Sequence, residues 1–78
     1  MFSTIVLQDG PVGEVGVNGD QIDDLIGFCA DKLESFNAEP YMTVETTDAI
    51  HFLRRALERL EDRTRNRRAR GVEGTSAP

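Results

Sequence analysis

The chain has 78 residues, one cysteine, one histidine and a net charge of −5, so it is long enough for a single small domain and no more. A lone cysteine excludes an internal disulfide, and a lone histidine excludes a Cys/His zinc site. No apolar stretch approaches the roughly 20 residues of a membrane-spanning helix and no signal-peptide pattern is seen, which favours a cytoplasmic protein without membrane contact.

A core of this size supplies only about 3–5 kcal/mol of stability, so we expect an obligate homo-oligomer. The charge is unevenly distributed, because residues 1–48 carry ten acids and one lysine, whereas residues 49–78 carry eight arginines and four acids. Such a separation suits head-to-tail or antiparallel packing between copies. The acidic total argues against duplex nucleic acid as a partner, since duplex-binding domains are usually basic.

Residues 1–19 predict a short β-hairpin arm. The stretch 2–8 is apolar and β-branched, a segment dense in turn formers follows it, and Val15 and Val17 then occupy alternate positions. Two strands alone are marginal in water, so this arm must pack on helices or on another copy. Four glycines recur at three-residue intervals, which is a turn pattern rather than a dinucleotide-binding fingerprint, because no βαβ unit fits around them.

Residues 20–37 predict the first helix, which we expect Asn18 or Asp20 to cap. Phe28 lies off its apolar stripe and indicates a second contact surface, and Pro40 prevents the helix from continuing. We expect Cys29 to be a small core residue rather than a nucleophile, because no histidine is spaced to activate it. The stripe consists of Ile22, Leu25, Ile26, Cys29, Leu33 and Phe36.

Residues 43–69 predict the second helix, with Thr43 as a good N-cap. Its apolar seam repeats like that of a coiled coil, and small or aromatic residues widen it on one side. His51 faces the opposite side, which predicts a solvated residue rather than a catalytic base. The seam residues are Ile50, Leu53, Leu57, Leu60 and Thr64, widened by Ala49, Phe52 and Ala56.

The chain closes with a basic helix end at residues 63–70, which hold five arginines and no acid, followed by a glycine-bracketed turn and tail at residues 70–78. Guanidinium groups suit phosphate, and glycine lets a backbone approach a ligand closely. The segment is therefore a candidate seat for a small anion. The alternative is a solvated helix end, in which Gly71 ends the helix and arginines offset its dipole. We expect residues 76–78 to lack fixed structure.

These patterns predict a mainly α protein that forms one domain over residues 1–78. Its architecture is a two-helix antiparallel hairpin with a short N-terminal β-hairpin arm, completed by homo-oligomerisation. The sequence contains no activated nucleophile, metal-binding set or isolated carboxylate pair, so we expect neither an enzyme nor a cofactor.

The sequence Glu14-Val15-Gly16-Val17-Asn18-Gly19-Asp20-Gln21-Ile22-Asp23-Asp24-Leu25-Ile26, a Pro-Tyr linker between two helices, and the closing Arg63-Thr64-x-x-Arg67-x-x-Arg70-Gly71-Val72-Glu73-Gly74-Thr75 together resemble the helical hairpin of phage anti-CBASS and anti-Thoeris sponges. The resemblance covers about residues 14–75, and the closing motif is its specific part. It implies a protein of the infected host's cytoplasm that sequesters cyclic di- or trinucleotides or cyclised ADP-ribose without chemistry, in homo-oligomers that are typically hexameric. The run from Tyr41 to Thr47 departs from the family pattern, in which an arginine occurs.

The resemblance also implies a ligand site. We expect two arginines to contact phosphates, two glycines to allow close backbone approach, the threonine to offer its hydroxyl, and the acid to accept from a base edge or to orient an arginine. We also expect an asparagine and a glycine at the start of the first helix to form a second anion site. Two other readings are a nucleic-acid-binding module that uses residues 63–70 and a helical adaptor for acidic protein surfaces. The expected ligand-binding residues are Arg67, Arg70, Gly71, Glu73, Gly74, Thr75, Asn18 and Gly19.

Overall fold

The computed structural model describes residues 5–78, so the part of the predicted arm at residues 1–4 lies outside the described residues. The described residues form three helices in chain order: α1 at Val12–Val15, α2 at Ile22–Phe36 and α3 at Val44–Ala69. Helices α2 and α3 pack against each other as an antiparallel hairpin. The prediction of a mainly α protein is confirmed, and both long helices lie within the predicted bounds.

Helix α3 begins as its sequence indicates. The Thr43 hydroxyl accepts a hydrogen bond from the Thr46 amide at 3.1 Å, which confirms Thr43 as the N-cap. The predicted caps of α2 are wrong, because Gln21 is the N-cap residue and no side chain caps this end. Asn18 is engaged elsewhere, since its side chain exchanges two hydrogen bonds with the backbone of Asp9.

The contact between α2 and α3 is narrow. Ala30 is the one fully buried apolar side chain among the described residues, while the flanking Cys29 is exposed. The prediction of Cys29 as a core residue is therefore wrong, because the face of α2 that meets α3 runs through Gly27 and Ala30 and leaves Cys29 to one side. Ile22 and Phe36, at the ends of that stripe, stay 49% and 60% exposed.

Polar contacts also join the two long helices. Arg54 donates to Asp31 at 2.7 Å and to Glu34 at 2.5 Å, which links α3 to α2. These two hydrogen bonds raise the pKa of the Arg54 guanidinium above its ordinary value. Asn37 donates to the Thr47 hydroxyl at 2.9 Å and so ties the end of α2 to the start of α3.

The predicted β-hairpin arm is wrong in its second half. Pro11 starts a single helical turn, α1, and Gly16 ends it with a φ of 75°. The extended backbone before this turn pairs in parallel with the chain just before α2, through a bridge between Leu7 and Asp20. The side chain of Gln8 closes this segment, because it donates to two carbonyl oxygens within the loop and accepts from the Asn18 amide. Residues 9–19 therefore form a closed loop rather than a returning strand.

Candidate anion-binding site

The C-terminal end of α3 lies where three parts of the chain meet: the closed loop at residues 9–19, which we call the N-terminal loop, the start of α2 and the turn that follows α3. The Gly13 amide donates to the Gly74 carbonyl oxygen at 2.7 Å, and the Ser76 amide donates to the Glu14 carboxylate at 2.7 Å. A Cβ atom at Gly13 would overlap the Gly74 carbonyl oxygen. Helix α1 therefore rests directly on the turn at residues 71–76, which we call the C-terminal turn.

Arg67 is the organising residue of the C-terminal turn, and it is only 7% exposed. Its Nη2 atom donates to the carbonyl oxygens of Val72 and Thr75, each at 3.0 Å. Its Nη1 atom donates to the Pro78 carbonyl oxygen at 3.3 Å, and its Nε atom lies 3.6 Å from the Glu73 carboxylate. The chain thus folds its own carbonyl groups around this guanidinium, which fixes the shape of the turn.

Arg70 lies one turn further along, at the C-cap of α3, and is exposed. Its Nε atom donates to the Asn66 side-chain oxygen at 3.0 Å, and its Nη2 atom donates to the Pro78 carbonyl oxygen at 2.9 Å. The guanidinium groups of Arg67 and Arg70 therefore converge on a single oxygen atom. Their predicted contacts with ligand phosphates stay a prediction.

The two glycines of the C-terminal turn both adopt the left-handed conformation, with φ of 72° at Gly71 and 79° at Gly74. Residues with a Cβ atom are strained there, so these positions require glycine for the turn itself. The Thr75 hydroxyl donates to the Val72 carbonyl oxygen at 2.6 Å and accepts from the Ala77 amide at 3.2 Å. Its hydroxyl is thus engaged within the turn, and its ligand contact remains a prediction.

Beside the C-terminal turn lies an open cleft with a volume of about 420 Å³. It contains a residue that the site prediction omitted, Arg63, which is exposed and forms no hydrogen bond or ion pair with any residue of the described range 5–78. The sequence held a signal for it, because Arg63 is the first arginine of the closing motif. Glu73 is the member of the predicted set that lines the same cleft. The lining residues are Gln8, Gln21, Ile22, Asp23, Leu60, Arg63, Thr64 and Glu73.

Asn18 and Gly19 do not line this cleft. Asn18 closes the N-terminal loop through two hydrogen bonds to the Asp9 backbone, at 2.8 and 2.7 Å. A Cβ atom at Gly19 would lie 2.6 Å from the carbonyl oxygens of Val6 and Leu7, so glycine is required for the close approach of two backbone segments. Asn18 and Gly19 thus both have a structural role in the loop. Their role as a second anion site stays a prediction.

The cleft offers one guanidinium, two side-chain amides and two carboxylates. Guanidinium groups suit phosphate, whereas amides and carboxylates suit the polar edges of nucleobases and sugars. Within residues 5–78, no group of three or more His, Cys, Asp or Glu side chains is placed to hold a metal ion. No helix in that range is long and apolar enough to cross a bilayer. The cleft thus combines one group suited to phosphate with several suited to a base or a sugar, at a formal net charge of −1.

A scan against models of known protein families finds no match. Among characterised proteins, the chain is similar to Thoeris anti-defense 1 of Bacillus phage SBSphiJ7, with 41% identity over 74 residues. The matched residues are 95% of this chain and 52% of the phage protein. The chain therefore spans about half the length of this relative, and the match includes most or all of the cleft and the C-terminal turn.

Proposed function

Because the chain belongs to the phage anti-Thoeris family, we propose that it inhibits Thoeris defence by binding a cyclic, phosphate-bearing messenger and withholding it unaltered. The observation that supports this proposal best is the cleft beside the C-terminal turn, which contains the Arg63 guanidinium, without a hydrogen-bond or ion-pair partner among residues 5–78. A guanidinium that has no ion-pair partner among the described residues can bind an anion without first breaking an ion pair. Family membership supports the link to Thoeris defence, and the cleft supports the binding of a phosphate-bearing ligand.

The ligand class follows from charge and size. Cyclised ADP-ribose and cyclic di- or trinucleotides carry two or three phosphate charges on a compact ring. A hydrogen bond from a guanidinium to such a phosphate contributes about 1.5–3 kcal/mol. The cleft volume of about 420 Å³ lies within the usual range of about 300–1,000 Å³ for small-molecule sites. In this arrangement Arg63 contacts a phosphate. Glu73 accepts a hydrogen bond from the base or ribose, and Gln21 donates one to it.

The proposal includes assembly into homo-oligomers. Several large apolar side chains near the loop that joins α2 to α3 are exposed, among them Phe36, Tyr41, Met42 and Val44. The Cα trace measures only 12 Å along its shortest axis, the thickness of one layer of helices. A second copy packed on this layer would cover that apolar surface. Hexamers are the assembly that the sequence resemblance implies.

The binding test compares two arginine variants by isothermal titration calorimetry with cyclised ADP-ribose. Arg63→Ala removes the cleft guanidinium, and we expect the Kd to rise about 10- to 100-fold, the equivalent of one charge-assisted hydrogen bond. Arg59→Ala is the matched control, because it removes the same charge one helical turn away. The Asp62 carboxylate that loses Arg59 is still paired with Arg65. Equal weakening by both variants, or no effect of Arg63→Ala, would contradict the proposed site.

The same titration with cyclic di- and trinucleotides distinguishes between the messenger classes. The class with the lowest Kd identifies the ligand, and failure of every class to bind would refute the proposed function. Sequestration is separated from degradation by heating the complex and measuring the mass of the released messenger. We expect the released ring to be intact, whereas a linear product would show that the protein is an enzyme.

A further inference from the structure

The carboxamide of Gln8 uses its hydrogen-bonding positions entirely within the chain. Its Nε2 atom donates to the carbonyl oxygens of Gly10 and Gly16, at 3.1 and 2.9 Å. Its Oε1 atom accepts from the Asn18 backbone amide at 3.0 Å and from Gln21 Nε2 at 3.3 Å. A backbone carbonyl group can only accept and a backbone amide can only donate. These backbone partners therefore fix which end of the Gln8 carboxamide carries the oxygen.

The orientation of Gln8 in turn fixes that of Gln21. Because Gln8 presents its oxygen, the group that Gln21 turns toward it is the NH2 group. The Gln21 side-chain oxygen and the second N–H of that NH2 group have no partner among residues 5–78. Gln21 lines the cleft that contains Arg63. The cleft thus holds a carboxamide of fixed orientation that keeps one acceptor and one donor for a ligand.

The other residues of the cleft suit a base that donates hydrogen bonds. Asp23, whose carboxylate has no partner among the described residues, and Glu73 both line it, and carboxylates only accept. Ile22 and Leu60 contribute apolar side chains, against which the flat face of a base can pack. Apart from the phosphate-binding guanidinium of Arg63, the charged groups of the cleft are therefore acceptors.

We propose that Gln21 is a specificity-determining residue of the cleft, and that its side-chain oxygen accepts a hydrogen bond from the exocyclic amine of adenine. Adenine carries this amine beside the acceptor nitrogen N7, which suits the remaining N–H of Gln21. Gln8 has no hydrogen-bonding position left for a ligand, so recognition of the base falls to Gln21. This inference rests on the proposed function and names the part of the ligand that is recognised besides its phosphate.

The test is a double-mutant cycle between protein and ligand, measured by NMR titration of the full chain. The ligands are AMP and purine riboside 5′-monophosphate, which differs from AMP only in lacking the exocyclic amine. The proteins are the unmodified chain and Gln21→Met, which keeps the length of the side chain and removes its carboxamide. We expect the unmodified chain to bind AMP about two- to tenfold more tightly than the purine nucleotide, the equivalent of one neutral hydrogen bond. In Gln21→Met we expect the two Kd values to be equal.

The purine nucleotide serves as the internal control for damage to the cleft. A substitution that only distorts the cleft weakens both ligands by the same factor and leaves the ratio of their Kd values unchanged. An unchanged ratio in Gln21→Met would therefore show that Gln21 does not contact the amine, and the inference would be wrong. Equal binding of the two ligands by the unmodified chain, or binding of neither, would overturn it as well.

The two proposals fail in distinguishable ways. If the preference for AMP depends on Gln21 but no cyclic messenger binds, the inference stands and the proposed function falls. If a messenger binds and Arg63→Ala weakens it, while Gln21→Met leaves the preference for AMP intact, the proposed function stands and the inference falls.

Discussion

Replacement of Arg67 by lysine tests whether this guanidinium builds the C-terminal turn. The substitution keeps the positive charge but replaces a planar fork of five N–H donors with a single ammonium group. Arg67 now serves three carbonyl oxygens, those of Val72, Thr75 and Pro78. The lysine side chain is shorter, and its ammonium group reaches only about one of these three oxygen atoms.

The expected cost follows from the two lost hydrogen bonds. A hydrogen bond to a charged group contributes about 1.5–3 kcal/mol, and the lower value applies because the freed carbonyl groups regain water. The loss is therefore about 3 kcal/mol of local stability, or roughly a hundredfold in the opening equilibrium of the turn. The helical hairpin is unaffected, because Arg67 bonds only to residues of the turn and tail.

Amide hydrogen exchange measured by NMR reports this opening residue by residue. Three amides depend on the closed turn: Thr75, Ser76 and the Gly13 amide that donates to Gly74. We expect all three to exchange roughly a hundredfold faster in Arg67→Lys, while amides in the middle of α3 keep their rates. Arg65→Lys, an exposed arginine paired with Asp62, is the matched control. Unchanged exchange at these amides would refute the organising role of Arg67.

Substitutions at three further positions test the fold by urea unfolding. Gly13→Ala should destabilise the chain by about 1–3 kcal/mol, because the new Cβ overlaps the Gly74 carbonyl oxygen; a neutral effect would show that α1 does not rest on the turn. Gly27→Ala should stabilise it by up to about 1 kcal/mol, since its Cβ meets Leu57 at an ordinary 3.9 Å within a helix; a loss of stability would contradict the packing of α2 on α3. Thr43→Ala should cost about 1 kcal/mol through loss of the N-cap bond, and Thr43→Ser should restore it.

The two long helices could be predicted from the sequence because their signals are local. Thr43 and the repeating apolar seam mark α3, and a similar stripe marks α2. The N-terminal loop could not be predicted in the same way. Its valines alternate as in a strand, but the side chain of Gln8 bonds to backbone groups up to ten residues away, and only the folded chain reveals such bonds.

For the candidate site, the sequence indicates a region, the arginine-rich end of α3, but not the arrangement of its side chains. Five arginines of equal chemistry occur between residues 63 and 70, and the sequence does not say which of them face the interior. Arginine is rarely buried, so the burial of Arg67 under its own C-terminal turn has no sequence signature. The closing motif contains Arg63, but only the folded chain places it in the same cleft as Gln8 and Gln21.

Native mass spectrometry with cyclised ADP-ribose reports assembly and ligand capture in one measurement. We expect a mass that is a multiple of the 8.7 kDa chain, increased by whole, unaltered messenger molecules. A chain that remains a single copy and carries no messenger at saturating concentration would contradict both the proposed assembly and the proposed binding.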